Sequence, residues 1–600
     1  MQSIFSASGR KLTSKMANPL RTFAWTVMLL IGIVAFTGCT HSGMWQQGCD
    51  VDGPQVPQWD IFEVSLHAVS KGNPFDVPVA ADFTSGQTTI HVRGFYDGND
   101  TYRIRFMPPT QGVWRYETDS EVRDLNGQKG EFCCVAPAEG QHGPVMPKNT
   151  FHFAYADDKP FVPISTTIYG WVNQRSDELQ EQTLASLKAS PFNRVRMMVL
   201  PIKYGPDNVP RWFPFEKNED GSWNFDHPDP QYFRHIEQRL AQLREMGIEA
   251  ELILFHSRDD GLTHFDRMSA EADDRYLRYV VARFSSYSNV WWNLANEFDA
   301  MRYKHDDDWD RFFQIIAAED PVQHPRSVHQ MHRYYDVTRD WVTYMSVQNG
   351  GAVSKFGLPD SFRIASQKPI IFDEIEYEGT SPASWGHLPP QDMVHRFWLG
   401  IVAGCFVTHG ETLYSAPEIA WISRGGKLMG ESPKRIAFLK KIIADAPMEN
   451  FAPLNPQDEK IGIGGKVGDY YLVYFGKSSP TEWTFDLPAS RFIKPGTKFK
   501  IDIIDTWNMT ITPVKQLATI PAPPPPPPSM RKRRSSTTKS ATTLSTTQTA
   551  EQTTRPTTTL ATAPTTTPAT APATHPATQP AFKLSLPGKP MIVLRIQRVE

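Results

Sequence analysis

Two carboxylates in the sequence follow directly on strongly apolar runs. Glu297 comes after Asn296 and the run at residues 290–294, and Glu374 comes after the run at residues 369–372. Hydrolysis of a glycosidic bond needs two such groups, one to protonate the leaving oxygen and one to attack or to activate water. A lone glutamate is usually a solvated surface residue, but two glutamates that end separate apolar segments predict an acid/base pair. Glu297 and Glu374 are therefore the candidate catalytic residues.

Further polar and aromatic residues lie at the ends of the other apolar runs. Aromatic faces stack on the C–H surfaces of sugars, and Arg, His, Asn and Gln side chains hydrogen bond to hydroxyl groups. Each of these residues taken alone could be a core aromatic or part of a structural ion pair, and what they share is their position. The expected substrate-binding set is Tyr169, Trp171, Arg196, His256, Asn296, His329, Gln348, His409 and Glu411.

Metal and nucleotide chemistry lack their usual motifs in this sequence. It contains no CxxC pair and no Cys/His cluster with the spacing of a zinc site. Asp259-Asp260 and the aspartates at 306–308 lack the spacing of a calcium loop, so we expect them to be helix-start or solvated charges. No GxGxxG or Walker-type glycine loop follows an apolar run. We expect no cofactor and no metal, and a metal-dependent hydrolase is the disfavoured alternative.

Alternating strands and helices between residues 148 and 447 must position the candidate side chains. The clearest helix begins at Asp229-Pro230, an N-cap followed by proline, and Gly247 ends it. About eight strands in such a length favour a (β/α)8 barrel, in which the active site forms at the C-terminal ends of the strands. The strands are predicted at residues 161–164, 195–200, 248–255, 290–294, 327–329, 341–347, 369–372 and 401–407.

Segments with strand periodicity flank this barrel on both sides. Apolar and polar residues alternate within residues 57–147, which predicts an Ig-like β-sandwich. Strand patterns return at 448–520 and again at 581–600. Between them, residues 521–580 are rich in Pro and Thr and cannot bury enough apolar surface to offset the entropy of ordering. We interpret this stretch as a disordered insertion within a C-terminal β-sandwich. The fold class is thus a multidomain α/β plus all-β protein with a central TIM barrel.

The first 38 residues have the pattern of an export signal. Four basic residues precede an apolar run at residues 23–36, which is shorter than the roughly 20 residues that span a bilayer as a helix. The run ends in Phe36-Thr37-Gly38-Cys39, similar to the lipobox of bacterial lipoproteins. We expect a lipid on Cys39, a tether over residues 39–56, and a place in the cell envelope, at the outer membrane or in the periplasm. An ordinary signal peptide or an uncleaved anchor is the alternative.

Four further cysteines remain in the chain. An exported protein can form disulfides, and Cys49 could pair with either Cys133 or Cys134. Cys405 lies in an apolar run and is expected to be a small core residue.

The formal net charge of −3 is a sum of unlike parts. Residues 1–38 contain four basic and no acidic residues, and residues 521–580 contain six basic residues and one acidic residue, so removing both segments takes the charge to −7 and then to −12. An acidic folded body argues against a nucleic-acid partner and is compatible with a neutral glycan. With 16 Trp, 35 Phe and 19 Tyr, the chain is not mostly disordered.

Several longer strings resemble those of one family. Asn296-Glu297 and Glu374, expected after the fourth and seventh strands, are similar to the catalytic pair of the retaining (β/α)8 clan that includes the cellulases. Within that clan the longer strings resemble one bacterial subset, the apiosidase-like glycoside hydrolases flanked by β-sandwiches. The strings that carry the resemblance are at 94–98, 105–108, 190–193, 289–292, 294–297, 408–412, 425–428, 430–433, 505–510 and 586–590.

The resemblance implies an O-glycosyl hydrolase that acts on a poly- or oligosaccharide with net retention, with Glu297 as acid/base and Glu374 as nucleophile. Glu376 and Glu378 follow closely, and Glu374 is preferred because it directly ends the apolar run. A non-catalytic carbohydrate-binding surface lipoprotein is the alternative function. We make no prediction of the sugar, the linkage or the oligomeric state.

Overall fold

Eight parallel strands arranged in a nearly closed ring form the centre of the protein. The computed structural model describes residues 49, 51–202, 209–258, 263–382, 384–522 and 582–599. Each strand of the ring pairs with the strands next to it in chain order, and the first pairs with the eighth. The fifth strand is split into two short pieces. In chain order the barrel strands are Ser165–Thr167, Arg194–Met198, Glu249–His256, Val290–Asn296, Arg326–Ser327 with His329–Gln330, Met345–Gln348, Ile370–Glu374 and Phe406–His409.

The barrel strands are buried on both faces, because one face meets the barrel interior and the other meets a layer of helices. Every residue of Glu249–His256 and Val290–Asn296 is buried. The helices that surround the strands are Asp177–Lys188, Pro230–Glu245, Ala270–Phe284, Asp306–Glu319, Leu358–Ser366, Pro390–Val402, Trp421–Arg424 and Ser432–Ile443. This confirms the expected fold class.

The helix Pro230–Glu245 begins and ends as its sequence predicts. The Asp229 side chain accepts a hydrogen bond from the Gln231 amide at 2.8 Å, and Gly247 adopts a φ of 67° just beyond the helix. Its apolar stripe is buried, and the residues of that stripe include Phe233, Ile236, Leu240 and Leu243. The aspartates at 306–308 likewise begin a helix, whereas Asp259-Asp260 lie outside the described residues.

The first, sixth and eighth predicted strands differ from the structure, and the sixth begins at Met345 rather than at residue 341. Residues 160–161 pair with a hairpin at the barrel floor, and the first barrel strand is Ser165–Thr167. Residues 401–402 end the helix Pro390–Val402, and the eighth strand begins only at Phe406. The first apolar run begins in a strand of another sheet and the eighth begins in a helix end, and an apolar run alone does not separate either case from a barrel strand.

The N-terminal region is a β-sandwich whose sheets meet through stacked aromatic rings. Phe62 stacks on Phe132 at 4.1 Å and Phe83 stacks on Phe106 at 4.2 Å between ring centroids, each pair joining the two sheets. The first sheet contains, in spatial order, Gln55–Pro57, Lys129–Val135, Gly112–Ser120, Val79–Ser85 and Thr88–Arg93. The second contains Phe62–His67, Thr101–Phe106 and Phe95–Tyr96.

A disulfide and a buried ion network fasten the ends of this sandwich. Cys49 is bonded to Cys133, one of the two partners that the sequence left open. Arg283, on the barrel helix Ala270–Phe284, lies 2.9 Å from Asp97 of the sandwich and 2.6 Å from Glu237 of a neighbouring helix. The sandwich is therefore attached to the barrel by buried charged contacts.

A small three-stranded sheet closes the N-terminal end of the barrel. It consists of Val145–Lys148, His152–Tyr155 and Pro160–Phe161. The Phe153 ring lies 4.8 Å from Trp291 and 5.7 Å from Phe406, at the start of the fourth and eighth barrel strands. This end of the barrel is packed, so substrate access is left to the opposite end.

The chain ends in a β-domain whose main sheet contains the last described strand. In spatial order that sheet has Ala452–Pro453, Gly462–Lys466, Tyr470–Tyr474, Ile592–Arg598, Lys498–Asp505 and Thr510–Pro513, with Ala518–Thr519 on Lys498–Asp505. A second pair joins Glu482–Thr484 to Lys583–Ser585. Most of the predicted insertion, residues 523–580, lies outside the described residues, as do the signal segment and Cys39. No helix in the described ranges is both long and apolar enough to cross a membrane.

Candidate active site

The candidate carboxylates lie at the C-terminal ends of the fourth and seventh barrel strands. Asn296 ends the fourth strand, Glu297 follows it, and Glu374 ends the seventh. The register of the ring places Gln348 opposite Glu374 and His256 opposite Asn296. Because the strands are parallel, all these residues lie at one end of the barrel.

A bulge in the seventh strand turns two neighbouring acidic side chains toward the barrel interior. Val347 pairs with Phe372 but the next residue, Gln348, pairs with Glu374, so Asp373 has no partner in the register. Along a regular strand Asp373 and Glu374 would point to opposite faces. The extra residue re-aims the strand end, and both carboxylates contact interior side chains.

Glu374 accepts a hydrogen bond from one side chain and has two basic side chains close to it. The Tyr169 hydroxyl donates a hydrogen bond to Glu374 Oε1. The Arg196 guanidinium lies 3.6 Å from the same oxygen and His329 Nε2 lies 3.9 Å from it. The Tyr377 hydroxyl lies 3.3 Å from that of Tyr169. Glu374 is only 3 % exposed, so this carboxylate is fixed in one place.

Asn296 connects the fourth strand to this cluster. Its Oδ1 accepts a hydrogen bond from Arg196 at 2.9 Å and lies 3.3 Å from the Tyr169 hydroxyl, whose single proton is directed at Glu374. Both side chains also contact Glu374. The residue before Glu297 is therefore in contact with the same side chains as the opposite carboxylate.

Glu297 is buried and stands in the negative field of Glu374. Burial, with the Glu374 charge second, raises the pKa of Glu297; Arg258 and a hydrogen bond from Ser257 act in the opposite direction. The Ser257 hydroxyl donates to Glu297 Oε2 at 3.2 Å. A raised pKa keeps a carboxyl group protonated at a pH where ordinary glutamates are ionised.

His329 contacts both carboxylate-bearing residues. Its Nδ1 accepts the backbone N–H of Glu297 at 3.2 Å, so the ring is neutral with its proton on Nε2, the nitrogen that faces Glu374. Burial and the Arg196 charge lower the pKa of His329 to about 4. The ring is therefore a hydrogen-bond donor near Glu374 at neutral pH.

A buried ion network lies beneath these side chains. Arg194 bonds to Glu251, and its Nη1 lies 3.1 Å from Asp373 Oδ1. Arg196 Nε lies 3.4 Å from Glu251 Oε1. Burial alone would raise the pKa of Asp373, but Arg194 and Arg196 outweigh it, so that pKa is lowered. The network fixes the position and the charge of Arg196 below Glu374.

Three residues of the expected substrate-binding set lie elsewhere. Trp171 is in the hydrophobic core with no exposed surface, where no sugar could reach its ring. Thr408 donates to Asp373 in the barrel interior, so the next side chain, His409, points to the helix layer and stacks on Phe192. Glu411 accepts backbone hydrogen bonds at residues 429 and 430. These placements correct the expectation for Trp171, His409 and Glu411.

The alternative glutamates of the seventh loop also have other partners. Glu376 lies 3.4 Å from Arg396. Glu378 accepts hydrogen bonds from the Glu431 amide at 2.6 Å and the Ser432 amide at 3.1 Å. Together with His409 and Glu411, Glu378 forms a buried group that could hold a metal ion.

Sequence reasoning missed Tyr377, Ser257 and the Arg194–Glu251 pair. Tyr377 lies in a loop three residues beyond Glu374, and Ser257 follows the third strand directly. The signal that could have found Tyr377 and Ser257 is an aromatic or hydroxyl residue shortly after the end of a predicted strand. Arg194 and Glu251 lie inside strands, and no local sequence pattern predicts that their side chains form an ion pair.

The fold and this site define a barrel-type glycoside hydrolase, with buried carboxylates at the ends of the fourth and seventh strands. The chain belongs to the apiosidase-like family: the model described as "Apiosidase-like, catalytic domain" matches residues 147–424. Two domains of unknown function, DUF5060 and DUF5605, match residues 55–121 and 459–520. The substrate is accordingly a carbohydrate.

One solved structure with more than 30% sequence identity supports this family. A "putative glycoside hydrolase" from Bacteroides vulgatus ATCC 8482 is 35% identical, with a TM-score of 0.77 over 91% of this chain and 100% of that one. A family 5 glycoside hydrolase from the same organism is 16% identical, with a TM-score of 0.48 over 64% of this chain and 89% of that one. The second likeness is too distant to argue from. No curated protein matches the chain.

Proposed function

We propose that the protein hydrolyses O-glycosidic bonds in a poly- or oligosaccharide with net retention. Glu297 protonates the leaving oxygen while Glu374 attacks the anomeric carbon and forms a glycosyl-enzyme intermediate. Glu297 then removes a proton from the water that releases the sugar. The observation that carries this proposal is the pairing of a fixed Glu374 with a buried Glu297 whose pKa is raised.

The contacts of Glu374 support its part as nucleophile. Tyr169 donates to one of its oxygens and Arg196 lies 3.6 Å from the same oxygen, which orients the carboxylate. The neutral His329 lies 3.9 Å from the same oxygen and adds no charge to the site. A held carboxylate loses little freedom on reaching the transition state, which is where positioning contributes to rate.

The stereochemistry of the first product tests retention. A retaining pair has its carboxyl groups roughly 5–5.5 Å apart, whereas an inverting pair is roughly 6.5–9.5 Å apart to admit a water. Proton NMR of the anomeric signal during early turnover is expected to show the anomer of the substrate. Appearance of the opposite anomer would assign Glu374 as a base that activates water.

A substrate screen comes before that experiment. Purified protein is incubated with plant and algal polysaccharides, and with apiose-bearing glycosides because of the family's name, and products are read by chromatography. Glu374→Ala is expected to abolish turnover, and external azide is expected to restore cleavage by taking the place of the missing carboxylate. Substantial activity in Glu374→Ala without azide would remove its assignment.

The same variants separate catalysis from simple binding. If the protein only bound glycans, it would retain them equally well with Glu297 and Glu374 both replaced by Gln, and the parent would release no product. Affinity electrophoresis in gels that contain each polysaccharide measures retention.

We also propose that Cys39 carries a lipid that holds the enzyme in the cell envelope, at the outer membrane or in the periplasm. The lipobox-like sequence that precedes it supports this placement. Mass spectrometry of the mature N-terminal peptide is expected to find a diacylglyceryl group on Cys39, and Cys39→Ser is expected to move the protein into the soluble fraction. A mature chain that begins elsewhere and carries no lipid would exclude the anchor.

A further inference from the structure

A buried group of three side chains lies between the seventh and eighth loops, apart from the proposed catalytic pair. Glu378 lies in the loop after the seventh strand, His409 ends the eighth, and Glu411 follows it. One donor atom from each lies within 4.8 Å of the other two. None of the three is more than 2 % exposed.

Two of these side chains are carboxyl groups buried in the interior without a Lys or Arg partner. In the part of the chain that the structure describes, neither Glu378 nor Glu411 forms an ion pair with Lys or Arg. Backbone N–H groups of residues 429–432 donate to both carboxylates, for instance from Met429 at 2.6 Å and Gly430 at 2.9 Å. These dipoles bind the carboxylates but do not neutralise them, and buried charges are normally paired or coordinate metals.

The third side chain directs an unused nitrogen at the two carboxylates. His409 has no exposed surface, and no hydrogen bond to its Nε2 is found among the described residues. That nitrogen lies 3.8 Å from Glu411 Oε2, too far for a hydrogen bond but close enough for both atoms to bind one ion. The ring itself is held from behind, because Nδ1 lies 3.1 Å from Thr166 Oγ1.

The contact with Thr166 has the form found behind metal-binding histidines. Such a histidine donates its other ring N–H to an oxygen, which sets the tautomer and leaves a lone pair for the metal. Thr166 is itself positioned by the Trp421 indole N–H, which donates to the same Oγ1 at 2.8 Å. A proton on Nδ1 leaves the Nε2 lone pair facing Glu411.

We propose that Glu378, His409 and Glu411 bind one divalent transition-metal cation, Zn²⁺ or Mn²⁺, as a structural site. One imidazole nitrogen with two carboxylate oxygens suits these ions, whereas Ca²⁺ and Mg²⁺ prefer oxygen ligands alone. The ion would tie the seventh loop to the eighth. Tyr377, next to Glu378, contacts Tyr169 beside Glu374, so the ion would fix a loop of the active site without taking part in the chemistry.

Metal stoichiometry of the full chain tests this site. The purified protein is dialysed against a chelator, reloaded with ZnCl₂ or MnCl₂, passed over a desalting column and measured by inductively coupled plasma mass spectrometry. We expect one equivalent per chain with at least one of the two ions. His409→Ala and Glu411→Gln are expected to bind at least tenfold more weakly, and Glu297→Gln, which leaves the three ligands intact, is the control that keeps the ion.

Two results would overturn the site. One is wild-type protein that keeps less than a tenth of an equivalent of either ion and shows the same thermal midpoint with and without it. The other is equal loading of wild type and His409→Ala, which would place the ion elsewhere. If both ligand variants fail to fold, X-ray absorption of the loaded wild type decides: a first shell with one imidazole supports the site, and a shell without imidazole removes it.

Discussion

Glu297 stands in the left-handed region of backbone conformation, with φ 55° and ψ 56°. Few residues other than glycine adopt this region, at a cost on the order of 1–2 kcal/mol. Here the Glu297 amide donates to His329, and the sharp turn begins where the fourth strand ends. Strain of this kind persists where the surroundings hold it and clusters at functional sites. The turn ends the fourth strand and sets the direction of the Glu297 side chain.

The charge of Glu374 is expected to set the titration of Glu297. The negative field of Glu374 contributes to the raised pKa of Glu297, so Glu374→Gln is expected to lower the Glu297 pKa. In the wild type, loss of the Glu297 proton with rising pH should give the alkaline limb of the activity profile. Carbon-13 NMR of labelled glutamate side chains measures the Glu297 titration in the wild type and in Glu374→Gln.

A neighbouring charge that does not face Glu297 provides the control. Glu376 lies against Arg396 and is not among the groups that shift Glu297, so Glu376→Gln should leave the Glu297 titration unchanged. An unchanged Glu297 pKa in Glu374→Gln would show that the two carboxylates do not couple.

Tyr169→Phe is expected to slow turnover with little change in folding. The change removes a buried hydrogen bond to a carboxylate, and bonds to charged groups contribute about 1.5–3 kcal/mol, which corresponds to about 10- to 100-fold in rate. Steady-state kinetics should show the loss mainly in kcat, since the bond orients Glu374. The control is Tyr474→Phe, which removes a buried hydroxyl of the C-terminal domain that contacts His395 on a barrel helix. Equal losses of kcat in the two variants would contradict the argument.

Among the elements, the strand Lys129–Val135 is stabilised both by strand pairing and by a disulfide. It pairs with two neighbours in the sandwich, and Cys133 at its centre is bonded to Cys49, which is 84 residues earlier in the chain. The bond ties the start of the described chain to the middle of a sheet. A cross-link of this span limits the unfolded chain more than a short one would.

Cys49→Ser is expected to destabilise the N-terminal sandwich. Loss of a native disulfide typically costs about 2–5 kcal/mol, so thermal unfolding should begin at a lower temperature, and reducing agent should shift the wild type but not the variant. Differential scanning calorimetry measures both. The control is Cys134→Ala, which removes a buried sulfur that is not in a disulfide and should lower the stability less. An equal loss of stability in both variants would show that the disulfide does not stabilise the sandwich.

At the scale of the whole molecule, the end of the chain returns to the centre of a sheet. Ile592–Arg598 pairs with Tyr470–Tyr474 on one side and with Lys498–Asp505 on the other. Its residues Ile592, Val593 and Leu594 have no exposed surface. Strand and partners are thus separated in the chain by the long Pro/Thr-rich segment, yet they form one sheet.

Shortening that segment and removing the strand should have opposite effects. Replacing residues 530–575 with a brief Gly/Ser linker is expected to keep activity and to raise stability slightly, since each halving of a flexible loop is worth about 0.6 kcal/mol. Truncation after residue 522 removes the central strand, and each fully buried aliphatic side chain contributes about 1.5–3 kcal/mol. Thermal melts compare the two, and equal melting would mean that the last strand contributes nothing.

Much of this architecture was predictable because barrel strands and capped helices have local signatures. Long apolar runs marked most of the strands, and Asp229, Pro230 and Gly247 marked a helix at both ends. Strand ends were less certain, as at residues 161–164 and 401–407, since an apolar run alone does not state which element it enters. Glu297 and Glu374 were found because their strands are long and apolar, but their roles remain predictions.

The sequence by itself determined the fold class, the family and the pair of carboxylates at the ends of the fourth and seventh strands. Tertiary structure decided which side chains share the space around them. His409 was placed by alternation on the helix side, and the bulge at Asp373 let two neighbouring carboxylates face inward. Tyr377 reached the site from a loop. Contacts of this kind depend on strand register and side-chain direction, and no local pattern of residues encodes either across a closed ring of strands.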